Sequence, residues 1–277
     1  MITTFDALLA AAAGLRVPVA VAAADSATAR AAMDLAADRD IATPVWVEGT
    51  GEAAAREAVA RVRAGEARVL LKGSLRTDEL LRAVLDRDSG LRTGRLLSDV
   101  LLYEDSNAGA PRLVGVTDGG INPAPDEAAL RVIVANAVAV FRALGHPRPR
   151  VALLSATEAV GEAVPSTVRA RAVAEWAASS LDSCDVAGPL ALDNALLPSA
   201  AEAKGIGGPV AGRADVLVAP SIEAGNILGK AAKYLGGSIT AHVIVGAAAP
   251  VLIPSRVESA EDKLHSIALG AILAARA

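Results

Sequence analysis

Apolar residues run along this chain in short blocks, and polar, turn-forming stretches separate them. Val17–Ala24 is a continuous apolar run, short and partly β-branched, which predicts a buried strand. Ser26 stands where it can cap a helix over Ala27–Arg39. Thr43–Val47 predicts a second strand and Glu52–Arg63 a second helix. Arg68–Leu71 predicts a third strand, ending at Lys72-Gly73-Ser74, and Thr77–Asp86 a third helix. Strand–helix alternation of this kind signals a parallel sheet with crossover helices, the mark of an α/β fold.

Val100–Tyr103 and Leu113–Thr117 predict two more strands. Glu104–Arg112 joins them and contains Asn107, Gly109 and Pro111, so an antiparallel hairpin with a long loop is expected. The turn-rich run Asp118–Pro123 follows, and then a long helix over Asp126–Leu144 that Gly145 closes. Beyond it come a strand at Val151–Leu154, a helix at Ser166–Ser180, a strand at Ala214–Ala219 and a helix at Asn226–Leu235. Strands at Ile239–Val245 and Val251–Ile253 precede a last helix at Ser259–Arg276. Because the alternation restarts after residue 125, two α/β domains are expected. The first comprises residues 1–125 plus 247–277, and the second residues 126–246. A cleft between such domains is a common place for a ligand.

Composition narrows the function. Hydrophobic residues make up 53% of the 277 residues but aromatics only 2%, so the core is built from small side chains in many packed layers. A net charge of −4, with arginine and acidic residues interspersed, gives nucleic acid no basic patch to bind. The single cysteine, Cys184, excludes an internal disulfide and reads as a small buried hydrophobe in a reducing compartment. Asp6 lies ahead of the first apolar stretch without a basic flank, so no secretory signal is expected and the cytoplasm is the expected location. Tyr234–Ser255 lacks a formal charge and matches a membrane span in length. Gly236, Gly237, His242, Gly246, Pro250 and Pro254 interrupt it, which predicts two short buried strands and no membrane association. His146, His242 and His265 lack ligand spacing, so no metal site is expected.

The strongest candidate chemistry lies where the strand at 251–253 gives way to the last helix. Ser255 offers a hydroxyl, Arg256 a planar donor fork matched to phosphate, and Glu261 and Asp262 two carboxylates. Asp262 suits a general base. Ser259-Ala260-Glu261-Asp262 equally fits a capping box, in which Asp262 satisfies the helix start. A second candidate is Ile222–Lys230, where Glu223, Gly225, Asn226 and Lys230 surround a predicted helix start. Asn226 suits an N-cap whose free N–H groups hold phosphate, and Gly225 and Gly229 allow close approach of ligand or backbone. A Walker A loop is excluded, since Ala231 stands where Ser or Thr is needed. Gly188-Pro189 predicts a turn before Asp193 and Asn194, which serve as loop caps or line a cleft. Lys72 and Gly73 at a strand end, with Arg82 on the next helix, are a third set suited to phosphate, although exposed arginine is common. Gly49–Ala54 matches GxGxxA after the second strand and reads as a tight turn.

Together these segments resemble the phosphate acetyltransferase/phosphate butyryltransferase family. The resemblance rests on Lys72-Gly73-Ser74, Leu80–Leu85, Gly90–Ser98, Gly188–Ala195, Gly208–Gly212, Glu223–Asn226, Ser255-Arg256 and Lys263–Leu269, and is closest to the butyryltransferase branch. It implies two α/β/α domains with a cleft between them, as in isocitrate and isopropylmalate dehydrogenases. It also implies short-chain acyl transfer between coenzyme A and phosphate. Coenzyme A and acyl phosphate would be substrates, with no permanently bound cofactor, in a homodimer or higher homo-oligomer. By that resemblance Arg256 holds phosphate, Ser255 assists at thiol or phosphate, and Asp262 or Glu261 is the base. Tyr234, beside Lys233, departs from phosphotransacetylases, which place an arginine there. A phosphate acetyltransferase is the alternative within the family. A non-catalytic protein that binds coenzyme A or acyl phosphate is the alternative outside it.

Overall fold

The computed structural model describes residues 1–107 and 109–276. In chain order the elements begin α1 (Phe5–Ala12), β1 (Val17–Ala22), α2 (Ala27–Asp38), β2 (Ala42–Val47), α3 (Gly51–Arg63), β3 (Val69–Lys72) and α4 (Thr77–Val84). They continue with β4 (Ser98–Asp105), β5 (Arg112–Thr117), α5 (Glu127–Ala143), β6 (Arg150–Leu154), α6 (Pro165–Ser180) and β7 (Asp185–Leu190). Next come α7 (Leu192–Leu196), α8 (Pro198–Ala203), β8 (Val216–Val218), α9 (Ile222–Tyr234), β9 (Thr240–Val245), β10 (Val251–Leu252) and α10 (Ala260–Arg276). They form two compact units, Phe5–Leu97 with Thr240–Ala277, and Met1–Thr4 with Ser98–Ile239.

In the first of these units the strand order is β2-β1-β3-β10-β9, parallel except for β9 against β10. Parallel strands need both faces covered, and β3 is buried along its whole length. Helix α10 supplies part of that cover. It is buried continuously from Lys263 to Ala274, as a helix apolar around most of its circumference must be, and it packs on α1, α2 and β9. Helix α2 starts at Ser26, whose hydroxyl accepts the Ala29 N–H at 3.3 Å. Gly49 and Gly51 hold positive φ in a tight turn ahead of α3, as the sequence predicts.

The other unit has the order β4-β5-β8-β6-β7, with β4–β5 antiparallel and the rest parallel. Leu101, Tyr103, Val114, Val116, Ala152, Leu154, Leu190 and Leu217 form its core. Asp126 caps α5 by accepting the Ala129 N–H at 2.8 Å, and Gly145 at positive φ ends it.

The α/β alternation is as expected from the sequence, and the differences have local causes. The units divide near residues 97 and 239, where the sequence suggested 125 and 246. The hairpin β4–β5 groups with the later strands because β5 pairs with β8. Strand β9 groups with β10, its antiparallel neighbour. Gly188-Pro189 lies inside strand β7 and is not a turn. Proline lacks the ladder N–H, and β7 is the last strand in the order, where that loss is tolerated. Helices α1, α7 and α8 were not foreseen. Helix α1 is short, and its burial rests on tertiary contact: Phe5, Leu8 and Ala12 are buried, with the Phe5 ring 4.9 Å from His265 in edge geometry. Cys184 is buried, as a small hydrophobe would be. No helix among the described residues is long and apolar enough to cross a membrane. Phe5→Ala is expected to lower stability by about 3–5 kcal/mol, the cost of deleting a buried aromatic. Urea unfolding checks this, and an unchanged midpoint would show that α1 contributes nothing to the fold.

Candidate active site

The carboxyl ends of β3 and β10 lie side by side, because the two strands pair in parallel with Val251 opposite Leu70 and Leu252 opposite Leu71. That pairing brings Lys72-Gly73 to the segment running from Ile253 into Ser255. Lys72 is only 4% exposed. Its Nζ reaches the Leu75 carbonyl at 3.5 Å. Burial pushes the Lys72 ammonium below its ordinary pKa, and Arg256 and Lys263 push it further, while Glu258 works against them. Gly73 has a backbone reason to be glycine, since a Cβ there would collide with the carbonyls of Ala22 and Ala23. The Gly73 N–H donates to Ala22 O at 2.8 Å and Ser74 N–H to Ala23 O at 3.1 Å.

The turn after β10 presents Ser255 and Arg256 to solvent. Its backbone closes on Glu258. The Ser255 N–H donates to Glu258 Oε2 at 3.0 Å, and the Glu258 N–H donates to Ser255 O at 3.2 Å. Lys263 Nζ donates to the Glu258 carbonyl at 2.5 Å, and His242 Nε2 lies 3.8 Å from Glu258 Oε1. Helix α10 then opens with the predicted box. The Asp262 N–H donates to Ser259 Oγ at 3.1 Å, while Asp262 Oδ2 accepts the Ser259 N–H at 3.2 Å and its hydroxyl at 3.1 Å. Glu261 is exposed in the same first turn. Glu258 is the residue that sequence reasoning overlooked, and Lys263 entered it only as part of the run Lys263–Leu269. The one available signal was a charged side chain three residues after Ser255, in a segment otherwise read as a strand end and a cap.

The remaining candidates are placed as follows. Arg82 is exposed and pairs with Asp78 one helical turn earlier at 2.5 Å, a surface ion pair. In the other unit, Asp193 pairs with Lys204 at 3.0 Å, and Lys204 also meets Glu158 at 2.7 Å. The carboxyls of Asp193 and Glu158 are held below their usual range by hydrogen bonds led by Lys204. Asn194 is buried and donates to Glu158. Asn226 is not the N-cap of α9. Ser221 is, accepting the Ala224 N–H at 3.4 Å, because its short hydroxyl sits in extended backbone just before the first turn. Asn226 lies inside the helix and donates to Gly119 O at 3.0 Å. Glu223 stands in the first turn and its carboxyl is lowered by the Ser221 hydroxyl. Gly225 is glycine because a Cβ would strike the Asp118 carbonyl, and Lys230 is exposed on α9. Among the described residues no group of three or more His, Cys, Asp or Glu side chains could hold a metal ion.

A hydroxyl, a guanidinium and a buried ammonium stand at the carboxyl ends of parallel strands, an arrangement whose chemistry suits an anion. The model of the family described as phosphate acetyl/butaryl transferase matches residues 38–271. The chain belongs to that family and is an acyltransferase. A probable phosphate butyryltransferase of Bacillus subtilis is 46% identical over 79% of this chain and 73% of its own length. A phosphate acetyltransferase of Rhizobium meliloti is 43% identical over 81% of this chain and 71% of its own. The crystal structure of a branched-chain phosphotransacylase from Enterococcus faecalis superposes with a TM-score of 0.83 at 32% identity, covering 93% of this chain and 99% of that one. A 4-hydroxythreonine-4-phosphate dehydrogenase from Klebsiella pneumoniae, 13% identical with a TM-score of 0.51, shares the fold over 94% of this chain and 99% of its own.

Lys72 yields a stability prediction with a definite sign. Its pKa in the folded chain is depressed below 10.5, so folding favours the neutral amine. The penalty is present below the depressed value and fades as pH rises through it towards 10.5. Lys72→Met is therefore expected to raise Tm at neutral pH, with the difference from wild type closing in alkaline solution. Calorimetry across that pH range checks it, and a Lys72→Met variant less stable at neutral pH than wild type would contradict it.

Proposed function

We propose that the turn from Ser255 to Asp262, with Lys72, is the catalytic centre of a phosphate acyltransferase that prefers short, butyryl-type acyl groups. The reaction is acyl-CoA plus phosphate giving acyl phosphate plus coenzyme A, and its reverse. The observation that carries this reading is the placement of Ser255 and Arg256, exposed on a hydrogen-bonded turn beside buried Lys72. In the forward direction a phosphate oxygen attacks the thioester carbonyl carbon, the C–S bond breaks, and the thiolate departs. In reverse, the thiol loses its proton to Asp262, the sulfur attacks the acyl carbon, and the C–O bond to phosphate breaks. Arg256 and the Lys72 ammonium stabilise the phosphate charge in both directions, and the Ser255 hydroxyl donates to it. The capping bonds through Oδ2 fix the orientation of Asp262, a useful property in a general base.

Butyryl preference draws support from the Bacillus subtilis relative, while the Rhizobium meliloti relative favours acetyl. One methylene in an apolar pocket is worth only about 1–3 kcal/mol, so several acyl groups are expected to react. The reading extends to a cytoplasmic homodimer or a multiple of it. Ile227, Tyr234 and Leu235, exposed on and just beyond α9, support self-association.

Purified protein is expected to release coenzyme A from acetyl-, propionyl-, butyryl- and isobutyryl-CoA only when phosphate is present, with butyryl-CoA giving the highest kcat/KM. Arg256→Ala is expected to lower kcat by about 10²–10³-fold with the fold intact by circular dichroism. Wild-type turnover in that variant would remove Arg256 from the mechanism. Asp262→Asn keeps an acceptor for the cap and loses the base, so kcat is expected to fall by about 10²–10⁴-fold with little change in Tm. Glu261→Gln is expected to stay near wild type. The reverse pattern in these two variants would assign the base to Glu261.

A further inference from the structure

We propose that Glu258 is the positioning residue of this site: its carboxylate closes the Ser255–Arg256 turn and is the counter-charge that lets the Lys72 ammonium stand beside the Arg256 guanidinium. This rests on the reading above, in which Arg256 and Lys72 hold phosphate.

Three observations converge on Glu258. It is 4% exposed, and Lys263 beside it is 3% exposed, so its charge is not a solvated surface charge. A carboxylate is held in such a place only when it is paired and hydrogen-bonded. Its side chain and its backbone N–H each bond to Ser255, one to the N–H and one to the carbonyl, which fixes the backbone that carries Arg256. Its charge favours the Lys72 ammonium, against burial and against Arg256 and Lys263, which all disfavour it. The groups facing this cluster come from four elements: Lys72 at the end of β3, Arg256 and Glu258 on the turn, Lys263 on α10, and His242 on β9. Two cations placed to receive one dianion repel each other before it arrives. A fixed carboxylate that closes the turn and favours the Lys72 ammonium offsets part of that repulsion. The Glu258 carboxylate is engaged by the Ser255 N–H, so it acts through Ser255, Arg256 and Lys72.

The two roles separate chemically. Glu258→Gln keeps an oxygen that accepts the Ser255 N–H and removes the charge. The expected result is a folded protein whose KM for phosphate rises on the order of tenfold, while KM for acyl-CoA changes about twofold or less. The alkaline limb of kcat/KM for phosphate is expected to move down by about 1–2 pH units, since Lys72 loses its proton earlier without the carboxylate. The rise in Tm that inorganic phosphate gives the wild type is expected to shrink with it. In a Lys72→Met background, Glu258→Gln is expected to move the limb no further, because the titrating group is gone. An unchanged phosphate KM and limb in Glu258→Gln would overturn the proposal. So would a uniform loss of kcat with both unchanged, which marks a structural role alone. If Glu258→Gln does not fold, Glu258→Asp carries the test. It keeps the charge, so the limb stays at the wild-type pH while kcat falls, and a limb shifted downward would overturn the proposal. Arg256→Ala, run alongside, keeps the two readings apart. Full turnover in that variant would sink the phosphate site itself, whereas loss of turnover there with wild-type Glu258→Gln sinks only the role of Glu258.

Discussion

The parallel pairing of β3 with β10 is the constraint on which the rest of the site depends. It is a short contact, with Leu70 and Leu71 opposite Val251 and Leu252, between segments about 180 residues apart in the sequence. Loop closure over such a separation is costly in entropy, and burial provides the compensation. All four of these residues are fully buried, and Gly270 of α10 brings that helix close against Leu252 and Val69. Each apolar run gives way to a polar residue, Lys72 as the last residue of β3 and Ser255 shortly after β10, so both emerge at the same edge. The polar groups at the carboxyl ends of these strands are thus a by-product of the register.

The cations gathered there set a second constraint. Burial depresses the Lys72 ammonium, and Arg256 and Lys263 lie close enough to depress it further. A site made of cations alone would hold phosphate at rest but would be under self-repulsion when empty. Glu258 and the carbonyls of Leu75 and Glu258 temper this through Lys72 and Lys263. The backbone of the arrangement is fixed by the turn at Ser255–Glu258 and by the cap at Ser259–Asp262.

Much of this was legible in the sequence. Apolar blocks of strand length, broken by glycine, proline and cap residues, predict most of the strands and the long helices. Ser26, Asp126 and Ser259-Ala260-Glu261-Asp262 act as the caps they resemble. The elements that escaped are those whose signal is not local. Helix α1 owes its place to Phe5 packing on His265, and β7 carries a proline that only an edge position tolerates. At the site, the residues with distinctive chemistry in a turn, Ser255 and Arg256, stood out. Glu258 did not, because nothing in a linear sequence distinguishes a glutamate that is buried and clamped from one that is solvated.

The segment 222–230 shows the opposite case, where a suggestive sequence has a plainly structural reading. Gly225 and Asn226 read as a ligand-binding helix start, yet the helix starts at Ser221 and both residues face the loop after β5. Gly225 leaves room for the Asp118 carbonyl, and Asn226 holds the Gly119 carbonyl. Asp118 in turn gathers its own loop, accepting the N–H groups of Gly120 at 2.7 Å and Ile121 at 2.8 Å and the amide of Asn122 at 2.5 Å. Those bonds favour its charged form, while burial and the neighbouring Asp99 press its pKa upward. A loop built in this way draws hydrogen bonds from within itself and from α9. Glycine and asparagine therefore mark a close backbone approach in this segment. The same test applied to Gly73 gives the same answer, since a Cβ there would meet the carbonyls of Ala22 and Ala23.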